Sequence, residues 1–320
     1  MRILYLYQDI KAYRYDYWLR EHFILQIPHY SQHKVFMYGP GAYERFKSYT
    51  PIEYNKETLL QSVCDEIKPD VILIAQKSRM FTNYYPDRDN NITWLPSDFA
   101  SIKIPKVVIE EDYHYEKNDS WYVENNIDLI LQRHYSQSLR QQNVTMKWFP
   151  FSVDTNIFKP RNVTRYNKLC LTGSSCSGVY EYRTKTFQLL NAIGLADGFL
   201  NRQKIGLEYV KNLQEYISHI SCGSIYNIVP AKCFEIMASG SVLFTNKFDG
   251  IEKLFPDNAY VSYDNKFIDV VEKANLILND ISYRENIIKN AIKCIHEKHS
   301  HFYRMKQLFE HLESVVNAKL

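Results

Sequence analysis

Short apolar runs alternate with amphipathic stretches along this chain, at the spacing of strands followed by helices. Arg2–Tyr7 is an apolar run close to the first residue. Lys34–Tyr38 is a second, ending in Gly39-Pro40-Gly41, a sharp turn. Between them Tyr17–Leu25 has helical spacing through Trp18, Phe23 and Ile24, and further on Glu57–Ile67 is amphipathic at the same period. Pro69-Asp70 leads into Val71–Ala75, which is apolar throughout and so has the composition of a central strand covered on both faces. Lys106–Ile109, Asp128–Leu131 and Lys147–Phe149 continue the rhythm. Strands separated by helical segments predict an α/β fold with a parallel sheet wound on both faces.

Phe149–Pro160 (FPFSVDTNIFKP) has no periodicity and carries proline near both ends, which predicts an interdomain linker. The alternation then resumes with a strand at Lys168–Thr172 that stops at Gly173. Pro230 predicts a helix start, with Phe234, Met237 and Ala238 as its apolar stripe and Gly240 as its stop. Val242–Thr245 follows as a buried strand, then a turn at Asp249-Gly250, a short helical Ile251–Phe255 and a strand at Tyr260–Tyr263. The remainder reads as helix: Phe267–Asn279, Tyr283–Lys298 and His301–Val316.

Composition narrows the class. A chain of 320 residues accommodates two domains with separate cores, and 45% hydrophobic with 23% charged residues is ordinary globular usage. A net charge of +3 is too small to argue for a nucleic-acid partner. Tyrosine is abundant, at 26 residues, which an AT-rich genome explains as well as sugar stacking does. Cys64, Cys170, Cys176, Cys222, Cys233 and Cys294 form no C-x-x-C pair and several lie in apolar stretches. They predict reduced buried thiols, not disulfides or a zinc site. MRILYLYQDI is too short for a secretory leader, and no stretch approaches the roughly 18 to 20 apolar residues that span a bilayer. The expectation is a soluble cytoplasmic protein, with the N-x-[ST] sequons at Asn91, Asn118, Asn143 and Asn162 as chance matches.

Three constellations could carry chemistry. Lys232 and Glu235 are three residues apart and share a helix face. A cation at a helix N-terminus suits a diphosphate, and a carboxylate one turn on suits a ribose diol. Leu171–Arg183 (LTGSSCSGVYEYR) runs a strand into a loop whose backbone N–H groups and hydroxyls, at Gly173 and Ser174, could seat a phosphate that Arg183 reaches bidentately. It is neither a P-loop nor G-x-G-x-x-G, which disfavours kinases and dehydrogenases. Val107–Tyr115 (VVIEEDYHY) ends a buried strand in Glu110, Glu111, Asp112 and His114, where crowding raises at least one carboxyl pKa. Asp112 or His114, with Glu111 beside them, could take a proton from an attacking hydroxyl. His134 is a weaker candidate of the same kind. His296, His299 and His301 have no carboxylate at ligand spacing and read as solvated.

The order Lys232-x-x-Glu235-x-Met237-Ala238-x-Gly240, then a hydrophobic strand, then Gly250-x-Glu252, resembles the nucleotide-sugar site of GT-B glycosyltransferases. It is most similar to the CgeB-like, spore-maturation branch of group 1, where a Tyr-x-x-Arg run like Tyr180-x-x-Arg183 also occurs. The resemblance implies two Rossmann-like domains with mostly parallel sheets facing a cleft. Residues 1–152, with a C-terminal helix 301–320 crossing back, would form the acceptor side, and 153–300 would bind the donor. It implies diphosphate on Lys232, ribose on Glu235, and donor contacts from Ser224, Tyr226 and Ser239 as well. Asn227 stands where the related retaining families have the first carboxylate of a Glu-x7-Glu pair, so stereochemistry stays open.

The implied reaction is glycosyl transfer from a nucleotide-diphosphate sugar, with UDP the expected nucleotide, to a hydroxyl acceptor, without metal or other cofactor. The acceptor (glycan, polysaccharide, protein or DNA) is not indicated. Two rivals are a phage-type DNA-modifying glycosyltransferase, which needs a basic cleft, and a non-catalytic GT-B protein that only binds sugar or nucleotide. Loss of Lys232 or Glu235 would favour the latter, and both are present.

Overall fold

The structure is a computed structural model that describes residues 1–8, 18–75, 94–110, 120–135, 143–173, 178–199 and 204–319, with backbone alone at 18–22. The chain divides into two compact units. Met1–Ala12, Ile24–Pro150 and Met305–Leu320 make the first, Tyr13–Phe23 and Phe151–Arg304 the second.

The first unit holds a six-stranded sheet of β1 (Arg2–Leu6), β2 (Lys34–Tyr38), β3 (Val71–Ala75), β4 (Lys106–Glu110), β5 (Leu129–Gln132) and β6 (Thr145–Trp148), in the order β2-β1-β3-β4-β5-β6. Every pairing is parallel. β3, β4 and β5 are buried along their whole length, as continuous apolar runs in a sheet covered on both faces should be. β4 carries a charge at each end. At its start the Lys106 ammonium donates to the carbonyls of Ile102 (2.7 Å) and Asn125 (3.1 Å), and at its end Glu110 Oε2 accepts from the Tyr122 hydroxyl at 2.6 Å. Burial, the leading cause, brings the Lys106 pKa down to about 8.

Helix α1 (Trp18–Tyr30) runs past the expected end at Leu25, and Pro28 sits in its last turn, where it forfeits one helical hydrogen bond. α2 (Ala42–Arg45) is a single turn after Gly41. α3 (Leu60–Ile67) begins three residues later than the amphipathic pattern suggests. Its first N–H groups, of Leu60 and Gln61, are both capped at 2.9 Å by the carboxylate of Asp98, a residue remote in sequence. α4 (Ser120–Glu124) supplies the buried Tyr122.

The second unit holds β7 (Tyr166–Thr172), β8 (Ala196–Phe199), β9 (Tyr216–Ser221), β10 (Val242–Asn246) and β11 (Val261–Tyr263), in the order β11-β10-β9-β7-β8, again parallel throughout. Numbered within the unit this is 2-1-3-4-5, so the direction of winding reverses between β7 and β9. Open parallel sheets bind ligands outside the carboxyl ends of the strands at that reversal. The connections are α5 (Glu181–Ala192), α6 (Gly206–Glu215), α7 (Ala231–Ala238) and α8 (Ile251–Leu254), followed by α9 (Val270–Asn279) and α10 (Ile281–Cys294). The sequence pattern places a helix start after the Gly173 loop, where α5 lies, but does not indicate β8, α6 or β9.

After α10 the chain makes a π-turn at Ile295–His299 before α11 (His301–Asn317). The expectation that the histidines here are solvated fails for two of the three. His299 is buried between the Leu254 carbonyl (2.9 Å from Nε2) and Arg304 Nη2 (3.1 Å from Nδ1), and the buried His301 meets Ser152 Oγ at 2.9 Å through Nδ1. The reason is the Phe149–Pro160 segment, which is not a loose linker. Val153 pairs with Ser300 in a parallel bridge, its N–H donating to the His299 carbonyl while its carbonyl accepts from His301 N–H. From Met305 onward α11 belongs to the first unit. Glu313 there meets His33 at 3.1 Å, His311 packs edge-on to Phe149, and Lys319 pairs with Asp128 at 2.8 Å.

Candidate donor site

α7 departs from the usual amphipathic helix because every residue from Lys232 to Ala238 is buried, a lysine and a glutamate included. Lys232 is 7% exposed and Glu235 5%. Buried charges are tolerated only where partners hold them. The Lys232 ammonium donates to the Thr172 carbonyl, the last of β7. Glu235 Oε2 accepts from the Tyr209 hydroxyl of α6 at 2.6 Å, and the Tyr209 ring lies 5.6 Å from the Lys232 ammonium.

Gly173 closes this corner. Its φ of +130° is open to glycine and disfavoured for other residues, and a Cβ there would run into the Lys232 ammonium and stand 4.0 Å from Arg183 Nη2. The missing side chain lets two cations crowd beneath the end of β7. Arg183, from the first turn of α5, is 5% exposed and lies over the Tyr180 ring at 3.7 Å. At the same strand end Thr172 Oγ1 donates to Asn212 of α6.

The exit from β9 forms the adjoining wall. Gly223 N–H donates to Asn246 Oδ1 at 3.3 Å, and the Phe248 ring fills the place of a Gly223 side chain. Ser224 adopts φ +57°, and its Oγ accepts the Tyr226 N–H at 3.2 Å. The Ile225 N–H donates to the Val179 carbonyl at 2.9 Å, which ties the loop after β9 to the segment leading from β7 into α5. Asn227, also left-handed at φ +54°, accepts the Asp249 N–H at 3.1 Å and thereby holds the turn after β10. Gly250 supplies the left-handed N-cap of α8, and Glu252 is exposed in that helix's first turn.

Gly173, Arg183, Lys232 and Glu235 are thus brought to one corner, with the Ser224–Tyr226 loop tied to it. Ser239 and Gly240 sit at the opposite end of α7, where Arg165 donates to both carbonyls and Pro160 stands 3.0 Å from the position of a Gly240 Cβ. They anchor the incoming chain there. Ser174, Glu111, Asp112 and His114 lie outside the described residues, as does Cys176. His134 is buried beside Gln132, whose Oε1 accepts its N–H at 3.1 Å. Tyr209 was missed by sequence reasoning. The apolar spacing of α6 could have exposed the helix, yet nothing in it aims Tyr209 at Glu235.

Neighbouring titratable groups are held neutral. Burial, reinforced by the Lys232 charge, pushes His219 on β9 down to about 3, and burial pushes the Cys233 thiol up to about 12. The described cysteines are all free and buried. Among the described residues no three His, Cys, Asp or Glu side chains are grouped to hold a metal ion. No described helix is long and apolar enough to cross a membrane.

The family model described as "Glycosyl transferase-like" matches residues 196–310, from β8 into α11. No curated protein matches the chain. Among solved structures, a glycosyltransferase from Rickettsia africae ESF-5 aligns at 11% identity and TM-score 0.65, over 98% of each chain. Anabaena HepE, solved in complex with UDP and glucose, aligns at 12% and 0.61, over 98% of this chain and 100% of that one. T4 phage β-glucosyltransferase aligns at 12% and 0.61, over 98% and 99%. The two parallel sheets with their helices are therefore the GT-B fold, as expected. Over residues 196–310 the family match agrees with the expectation of a glycosyltransferase.

Proposed function

We propose that this protein transfers a glycosyl group from a UDP-sugar to a hydroxyl acceptor, without a metal ion. The observation that carries the reading is the pair of buried charges on α7, at the carboxyl ends of β7 and β9 where the winding of the sheet reverses. In this reading Lys232, with Arg183 and the backbone of Gly173 and Ser174, binds the diphosphate and offsets the charge that develops on the leaving group. Those two cations supply the positive charge that a divalent ion would otherwise bring. Glu235 accepts the ribose hydroxyls. Ser224 and Tyr226 border the base and sugar, and Gly250 with Glu252 edges the sugar side. The UDP complex of Anabaena HepE supports the choice of nucleotide. The acceptor's proton is assigned to Asp112, with His114 and Glu111 as rivals in the same acidic run of sequence. Assignment to the CgeB-like branch rests on Tyr180-x-x-Arg183 and the Lys232-x-x-Glu235 run.

A thermal-shift screen of nucleotide-diphosphate sugars tests the reading, because a ligand at 100 times its Kd adds about 2.7 kcal/mol of stability. The expected result is stabilisation by UDP and UDP-sugars, followed by slow UDP release that persists in EDTA. Stabilisation without release under any acceptor would favour a binding protein. Activity abolished by EDTA and restored by manganese would overturn metal independence. No response to any nucleotide sugar would overturn the reading itself.

A further inference from the structure

We infer that Tyr209 is the positioning residue of the donor site, fixing Glu235 for the ribose through its hydroxyl and Lys232 for the diphosphate through its ring. The inference rests on the reading of Lys232 and Glu235 given above and adds a residue from a different element.

Both buried charges of α7 meet this side chain. Its hydroxyl donates to Glu235 Oε2 at 2.6 Å, the length of a strong charge-assisted bond, and its ring face lies 5.6 Å from the Lys232 ammonium, within the range of a cation–π contact. The ring is itself held, since Phe158 packs against it edge-on with centroids 6.2 Å apart and an interplanar angle of 72°. A carboxylate has about four lone-pair sites, so one bond to Oε2 orients the group and leaves acceptor capacity for two ribose hydroxyls. Without that bond the carboxylate turns about its terminal torsion, which is broad and sets no direction by itself. Tyr209 therefore removes a freedom that ribose would otherwise have to remove on binding.

A tyrosine that merely filled space would influence stability and leave ligand selectivity alone. Calorimetry on the full chain separates these roles, using UDP and 2′,3′-dideoxy-UDP with wild type, Tyr209→Phe, Glu235→Ala and the double variant. Tyr209→Phe keeps the ring and should weaken UDP by about tenfold, or about 1.4 kcal/mol. It should weaken the dideoxy analogue far less, so that discrimination for the ribose diol narrows. In the Glu235→Ala background the same change should add nothing, because its effect runs through Glu235. Tyr209→Leu also removes the ring, and should further weaken UDP relative to uridine as the ammonium loses its support. If Tyr209→Phe does not fold, Tyr209→Leu is held to the same two criteria, narrowed discrimination and non-additivity with Glu235→Ala. Equal losses for UDP and its dideoxy analogue, or an undiminished penalty in the Glu235→Ala background, overturn the inference while the nucleotide site stands. Wild type that fails to bind UDP at all overturns both.

Discussion

Replacing Gly173 by alanine probes the corner where β7, Lys232 and Arg183 meet, because it adds one methyl group and changes no charge. Two effects follow, and they can be measured apart. The backbone sits at φ +130°, where a residue other than glycine costs about 1 to 3 kcal/mol. For units of this size that lowers Tm by about 2 to 12 °C. The new Cβ also falls on the Lys232 ammonium, which hydrogen-bonds to the carbonyl just before Gly173, and comes within 4.0 Å of Arg183 Nη2. The ammonium must move off that position. If it is a phosphate ligand, it then loses a charge-assisted hydrogen bond worth about 1.5 to 3 kcal/mol, or about 10- to 150-fold in Kd. Calorimetry well below the lowered Tm, with UDP and uridine in parallel, isolates the phosphate share. The expected outcome is a loss of that size for UDP and less than about twofold for uridine. A lowered Tm with unchanged UDP affinity would mean that the glycine serves only the turn and that Lys232 does not meet the diphosphate.

The same site makes Lys232→Met informative. It removes a buried cation and keeps the volume, so Tm should hold or rise while UDP affinity collapses, and the reverse pattern would give Lys232 a structural role. Asp112→Asn should lower turnover by at least ~10²-fold with UDP affinity intact if Asp112 takes the acceptor's proton, and a near wild-type rate returns the role to His114 or Glu111. Acid should destabilise the second unit. Burial, reinforced by Arg304, lowers His299 to about 4 from an unfolded value near ~6.5, so between those values the unfolded chain binds protons that the fold refuses. The stabilising contribution is therefore full above about pH 6.5 and lost as pH falls toward 4, by about 3 kcal/mol in all. Urea midpoints against pH should flatten in His299→Gln, and an unchanged slope would assign the acid sensitivity elsewhere.

How much of this was legible depended on whether the deciding contacts were local. β3, β4 and β10 announced themselves because a strand buried on both faces needs an unbroken apolar run. β9 did not, since YISHIS carries serine and histidine into a fully buried strand, where Ser218 Oγ donates to the Val242 carbonyl at 2.9 Å. The start of α3 was misplaced because its cap comes from Asp98, and caps from distant residues leave no mark at the helix itself. His299 and His301 read as exposed because their partners, Leu254, Arg304 and Ser152, are joined to them only by the fold.

Within the donor site the same division separates Lys232 and Glu235 from Tyr209. The first two stand one helical turn apart, so spacing alone placed them on one face. What spacing could not supply is that the helix is buried on all sides, which alters the meaning of those charges. On a solvated face such a pair contributes a few tenths of a kcal/mol and needs no explanation. In the interior each charge carries a desolvation penalty of several kcal/mol, so a fold that required only packing would be better served by methionine or leucine. Among the described residues the Thr172 carbonyl and the Tyr209 hydroxyl, both neutral, meet these charges. In the proposed reading a ligand brings a diphosphate to the ammonium and a diol to the carboxylate, and a binding role of that kind is the physical reason for a fold to keep two charges on a buried helix.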